Sequence, residues 1–74
     1  MKIILQKTRA IDLQENDVCY CNAEFGTVIK KGKTWLHNHQ FVVIEWKNRY
    51  DIYDVRYYAE NNKYVMKLIV KEAK

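Results

Sequence analysis

At 74 residues the chain makes one domain, residues 1–74, with a thin core, since a protein this short buries only about 60% of the surface its unfolded form exposes. Hydrophobic residues at 49% permit globular folding, charged residues at 30% favour solubility, and no run of ~18 apolar residues is present to span a membrane. A net charge of +4 admits nucleic acid or an acidic protein surface as a partner, and is equally the ordinary charge of a small soluble domain.

The chain opens with "MKIILQKTRA", whose apolar patch of Ile3, Ile4 and Leu5 is too short for the core of a signal peptide, so a cytoplasmic protein is expected. Lys2 to Arg9 reads as the first strand. In "AIDLQENDV" the Asn16-Asp17 pair predicts a turn, and Val18 restarts an alternation that sends Val18 and Tyr20 to one side and Cys19 and Cys21 to the other. "NAE" turns the chain into the strand "FGTVIK", where Gly26 suggests a bulge or tight bend. "KKGK", Lys30 to Lys33, reads as a turn with Gly32 free to adopt a left-handed conformation. "FVVIEW", Phe41 to Trp46, is β-branched and aromatic and is the clearest strand of the chain.

After a turn at "KNR" comes "YDIYDVRYY". Read as a strand, Tyr50, Ile52, Asp54, Arg56 and Tyr58 alternate with Asp51, Tyr53, Val55 and Tyr57. Read as a helix, Ile52, Val55 and Ala59 line one face, but the residues are poor helix formers, which favours extended or irregular structure with at most one helical turn. The last strand, Tyr64 to Val70, puts Tyr64, Met66, Leu68 and Val70 on one face and Val65, Lys67, Ile69 and Lys71 on the other. Five or six short antiparallel strands joined by tight turns predict an all-β protein, a small barrel or rolled sheet.

With the strands placed, "FGTVIKK", "VVIEWKNRYDIYDV" and "NNKYVMKLIV" resemble the SH3-like barrels of the Mind-bomb type, through Gly26-Thr27-Val28, Trp46 with Asn48, Tyr53, and Lys63-Tyr64 leading to Leu68. "DLQENDV" resembles the opening common to SH3-like barrels and KOW motifs, with Asn16 where glycine is usual. The likeness spans roughly residues 12 to 70 and departs from the pattern at Lys47, at Arg49 and at the later family glycines. It implies a non-enzymatic binding domain: for protein tails in the Mind-bomb type, for nucleic acid or polymerase in the KOW type. It would also make Tyr53 structural.

The chemistry-bearing residues point away from catalysis. The chain has no serine, and Gly26 and Gly32 alone build no phosphate loop. Cys19-x-Cys21 with His37-x-His39 has the donor types of a zinc site, but structural zinc takes cysteines from a turn at C-x₂-C spacing, and two thiolates on one strand diverge. A disulfide is worse placed, with Cα atoms about 6.6 Å apart by strand rise. Asp51 and Asp54 read as solvated partners of Arg49 and Arg56 rather than an acid–base pair. No metal, cofactor or enzymatic activity is expected.

The aromatics remain. Trp35, Phe25, Phe41 and Trp46 are the expected core, because they lie in or beside clear strands, while Tyr50, Tyr53, Tyr57 and Tyr58 exceed what so small a core can hold. With Arg49 and Arg56 among them they make an aromatic–basic surface suited to a partner protein. Lys, Asn, Ile and Tyr supply 29 of 74 residues, the bias of an AT-rich bacterial or phage genome, which points to a phage-encoded modulator or inhibitor docking on a host protein. The alternative is nucleic acid, with bases on the tyrosines and phosphates on Lys30, Lys31, Lys33, Lys47 and Arg49. A nucleotide held between protomers is a weaker third reading.

Overall fold

The computed structural model describes residues 2–35 and 39–72. Among them six strands are present: β1 (Lys2–Arg9), β2 (Val18–Cys21), β3 (Glu24–Lys33), β4 (Gln40–Lys47), β5 (Tyr53–Tyr58) and β6 (Tyr64–Lys71). A 3₁₀ turn over Ala10–Asp12 follows β1. The strands form a single antiparallel sheet in the order β1-β6-β2-β3-β4-β5, so the fold is all-β. Among the described residues no ladder joins β1 to β5; the sheet stays open and both are edge strands.

The turns follow from residues that tolerate positive φ. Asn16 sits at φ 72°, and Asn22 and Ala23 at 51° and 63°, the mirror-image turn that matches strand twist in a two-residue hairpin. The Asn16 turn is tied to β3, since Asn16 N–H donates to the Val28 carbonyl at 2.8 Å and Val28 N–H to the Asp17 carbonyl at 3.0 Å. The predicted "KKGK" turn is instead the end of β3. Gly32 has no positive φ; it lies opposite Phe41, and a Cβ there would come within 3.0 Å of the Phe41 ring. Glycine is thus a seat for an aromatic ring rather than a hinge. The β3–β4 connection follows, with Thr34 N–H bonded to the His39 carbonyl at 2.9 Å. The bulge expected at Gly26 falls later, where the register slips between Val28 and Lys30.

One face of the sheet carries the core. Val42, Ile44 and Trp46 alternate on β4, joined by Val28 of β3, Cys19 of β2 and Val65 of β6. Ala10 and Leu13 cover them from the segment after β1. The Lys31 ammonium seals this cover, donating to the carbonyls of Ile11 at 3.1 Å and Leu13 at 2.8 Å. Of the four aromatics expected in the core, only Trp46 is fully buried. Trp35 is 89% exposed because it lies beyond the end of β3, and Phe25 is exposed because it alternates with buried Gly26. Phe41 is half-buried on the opposite face from Val42. No helix among the described residues is long and apolar enough to cross a membrane.

Candidate functional site

The aromatic stretch divides by strand alternation. Opposed residues of an antiparallel pair share a face. Asp54, Arg56 and Tyr58 stand opposite Trp46, Ile44 and Val42 and belong to the core face, whereas Tyr53, Val55 and Tyr57 stand opposite Lys47, Glu45 and Val43 on the other, outer face. Tyr58 therefore serves the core: its hydroxyl accepts the Trp46 indole N–H at 2.8 Å. Arg56 is held at the core margin, with Nε 2.7 Å from Asp54 and an outer nitrogen 3.4 Å from Glu24. Neither residue faces the same way as Tyr53 and Tyr57. The six residues expected to form one surface are accordingly not all brought together.

Arg49 and Tyr50 lie in the β4–β5 turn. Asn48 builds this turn by accepting the N–H groups of Tyr50 at 2.8 Å and Ile52 at 3.2 Å, with Asp51 at φ 61°. The Arg49 guanidinium lies 4.9 Å from the Tyr50 ring centre and donates to its hydroxyl at 2.8 Å. Asp51 pairs with Lys47 at 3.1 Å rather than with the expected Arg49. That hydrogen bond raises the Lys47 pKa above its ordinary value. The lysines also divide. Lys30 and Lys47 lie on the outer face, while Lys31 and Lys33 pair with Val42 and Gln40 on the other, and Lys31 is committed to the core cover.

The outer face extends past the stretch singled out by sequence. Phe41 stacks on Tyr57 with ring centres 5.2 Å apart, and Tyr20 meets Phe25 edge-on at 5.0 Å. Ile3, Leu5, Tyr20, Phe25 and Leu68 line an open depression of about 560 Å³. This part was missed, although the alternation of β6 and the apolar run of β1 were its visible signals. Across the six strands, Glu45 is the one acid on the outer face, against Lys7, Arg9, Lys30 and Lys47.

Cys19 and Cys21 share the core face as free thiols, Cys19 buried and Cys21 half-buried. Burial pushes the Cys19 thiol up to about 11, with the Cys21 and Asp17 charges adding to the shift. Among the described residues no three potential ligands gather as a metal site; His37 of the considered quartet lies outside them. At pH 8, a thiol reagent should modify Cys21 much faster than Cys19, read by mass spectrometry of the native protein; equal rates would contradict the buried position of Cys19. The raised value has a sign for stability as well. The unfolded chain releases this proton first, so Cys19 costs nothing below about pH 9 and erodes stability between about pH 9 and 11, by at most about 1.4 kcal/mol per unit.

No protein-family model matches the chain, and neither a curated protein nor a solved structure matches it. The likeness to Mind-bomb-type and KOW-type barrels therefore rests on its sequence motifs alone.

Proposed function

We propose that the chain is a non-enzymatic binding module that docks on a partner protein through the outer face of its open sheet. The observation that carries this is the character of that face. An uncovered face of an antiparallel sheet is ordinarily polar, giving a clean alternation with the core. Here Leu5, Phe25 and Val70 are exposed on one side of it and Val55 and Tyr57 on the other, and exposed apolar patches of this kind mark interaction sites. Aliphatic side chains on β1 and β6 suit a protein better than a nucleic acid, whose bases call for aromatic platforms. The narrower proposal, from residue bias alone, is a phage-encoded modulator or inhibitor of a host protein; an SH3-like ancestry would agree with it, since such barrels are binding domains.

A second reading has its own support. At the β4–β5 end the rings of Phe41, Tyr57 and Tyr53 lie with Lys30 and Lys47, and Asp54, which would repel a phosphate backbone, is on the other face. Single-stranded nucleic acid stacks on such surfaces. One experiment decides between the two. The tagged protein is used to capture partners from lysate with and without nuclease, beside a Tyr53→Ala/Tyr57→Ala double variant and Arg56→Ala. Protein docking predicts capture that survives nuclease and is lost in the double variant, with binding weaker by about 2 kcal/mol or more. Arg56→Ala should retain it. Capture abolished by nuclease, with affinity falling steeply as salt rises, would establish the nucleic-acid reading instead.

A further inference from the structure

The two edges of the sheet are not alike. On β5 the core-face positions Asp54 and Arg56 are charged and paired, and inward-facing charge is a device that blunts an edge against further pairing. β1 has no such block along its length, its one core-face charge, Lys2, lying at the very start of the strand. It pairs with β6 over all eight of its residues without a register shift, contains no proline, and faces the core side with Ile4, Gln6 and Thr8 between its ends.

The free side of β1 has a defined hydrogen-bonding phase. The Ala10 N–H donates to the Lys63 carbonyl at 2.8 Å, continuing the β1–β6 register by one residue. Bonded pairs alternate along an antiparallel ladder, so Lys2, Ile4, Gln6 and Thr8 exchange bonds with β6. The N–H and C=O groups of Ile3, Leu5 and Lys7 then point to the open edge.

We infer that this edge pairs with β1 of a second copy of the chain, antiparallel and centred on Leu5, joining two sheets into one. A two-fold axis through the sheet keeps each outer face on the same side. With Leu5 opposite Leu5 of the second copy, Ile3 faces Lys7 and Lys7 faces Ile3, the three residues whose backbone groups are unspent. On the core side Lys2 faces Thr8 and Ile4 faces Gln6. No cation stands opposite a cation, although the strand carries Lys2, Lys7 and Arg9. The two Lys7 ammoniums start from positions four residues apart along the strands, about 14 Å, which exceeds the screening length in physiological salt. Leu5, 43% exposed beside Leu68, gains a leucine neighbour across the seam. The pairing sets two outer faces side by side, leaving β5 and its tyrosines at the far ends.

Sedimentation velocity of the full chain from micromolar to millimolar concentration tests this, together with amide hydrogen exchange. The expected result is a monomer–dimer equilibrium, with protection of the Ile3, Leu5 and Lys7 amides rising with concentration while that of the Tyr53–Tyr58 amides does not change. Leu5→Pro removes a donor that β6 does not use and should leave a folded monomer. Should Leu5→Pro fail to fold, Leu5→Lys sets two ammoniums opposite each other at an exposed position and should raise the dimer dissociation constant by at least tenfold. A wild-type protein that stays monomeric throughout, or a dimer that Leu5→Lys leaves intact, would overturn the inference.

Discussion

Trp46→Ala is expected to abolish the folded state. The indole is 1% exposed, the largest fully buried side chain of the protein, and its N–H is spent on the Tyr58 hydroxyl. Truncating a buried aromatic costs about 3–5 kcal/mol. A chain of this length is expected to have on the order of 4–11 kcal/mol to lose, and a core covered by the small Ala10 and by Leu13 belongs at the low end. The second tryptophan is the control. Trp35 is 89% exposed, so Trp35→Ala should shift stability by no more than ~0.5 kcal/mol and leave a single buried emitter with blue-shifted fluorescence. Urea unfolding followed by far-ultraviolet circular dichroism and fluorescence reads both variants. A Trp35→Ala protein as damaged as Trp46→Ala would show that the two indoles share one core.

The contrast between the two tryptophans also marks how far the sequence could be read. Strands that announce themselves by β-branched and aromatic runs, such as Phe41 to Trp46, are placed correctly, and so is the Asn22 turn, because asparagine tolerates the positive φ that the hairpin needs. The alternation of Tyr53, Val55 and Tyr57 against Asp54, Arg56 and Tyr58 was equally visible. Which of the two sets faces the core was not, since that depends on the register with Trp46, a pairing between separate strands. Trp35 is expected in the core because it lies beside a clear strand, yet a side chain is buried only where the backbone carries it, and β3 ends at Lys33. Barrel closure likewise depends on whether β1 and β5 meet, and strand count does not fix that. The "KKGK" misreading has a different cause. Lysines around a glycine have the composition of a turn, whereas the demand on Gly32 comes from the Phe41 ring on the neighbouring strand.

Gly26 answers to the same kind of demand, and more strictly, so Gly26→Ala should destabilise the protein where Gly32→Ala does much less. A Cβ at Gly26 would lie 2.7 Å from Ile44 Cγ2 and 2.8 Å from Trp46 Cε3. Both neighbours are buried side chains within the core, so neither can yield without disturbing the packing beyond it. Overpacking of this kind costs about 1–3 kcal/mol, which outweighs the ~0.4–1 kcal/mol that alanine gains by restricting the unfolded chain. At Gly32 the obstacle is the tip of the half-buried Phe41 ring at 3.0 Å, which can tilt, and the entropic gain offsets much of the contact. Neither glycine has positive φ, so backbone strain contributes at neither position and the comparison isolates side-chain space. Urea midpoints of the two variants should differ accordingly. Ile44→Leu deletes the Cγ2 methyl that the new Cβ would strike, so combined with Gly26→Ala it should recover part of the loss, a coupling of about 0.5 kcal/mol or more. Equal destabilisation by the two glycine substitutions, or strict additivity with Ile44→Leu, would mean that Gly26 is required for some reason other than the space between Ile44 and Trp46.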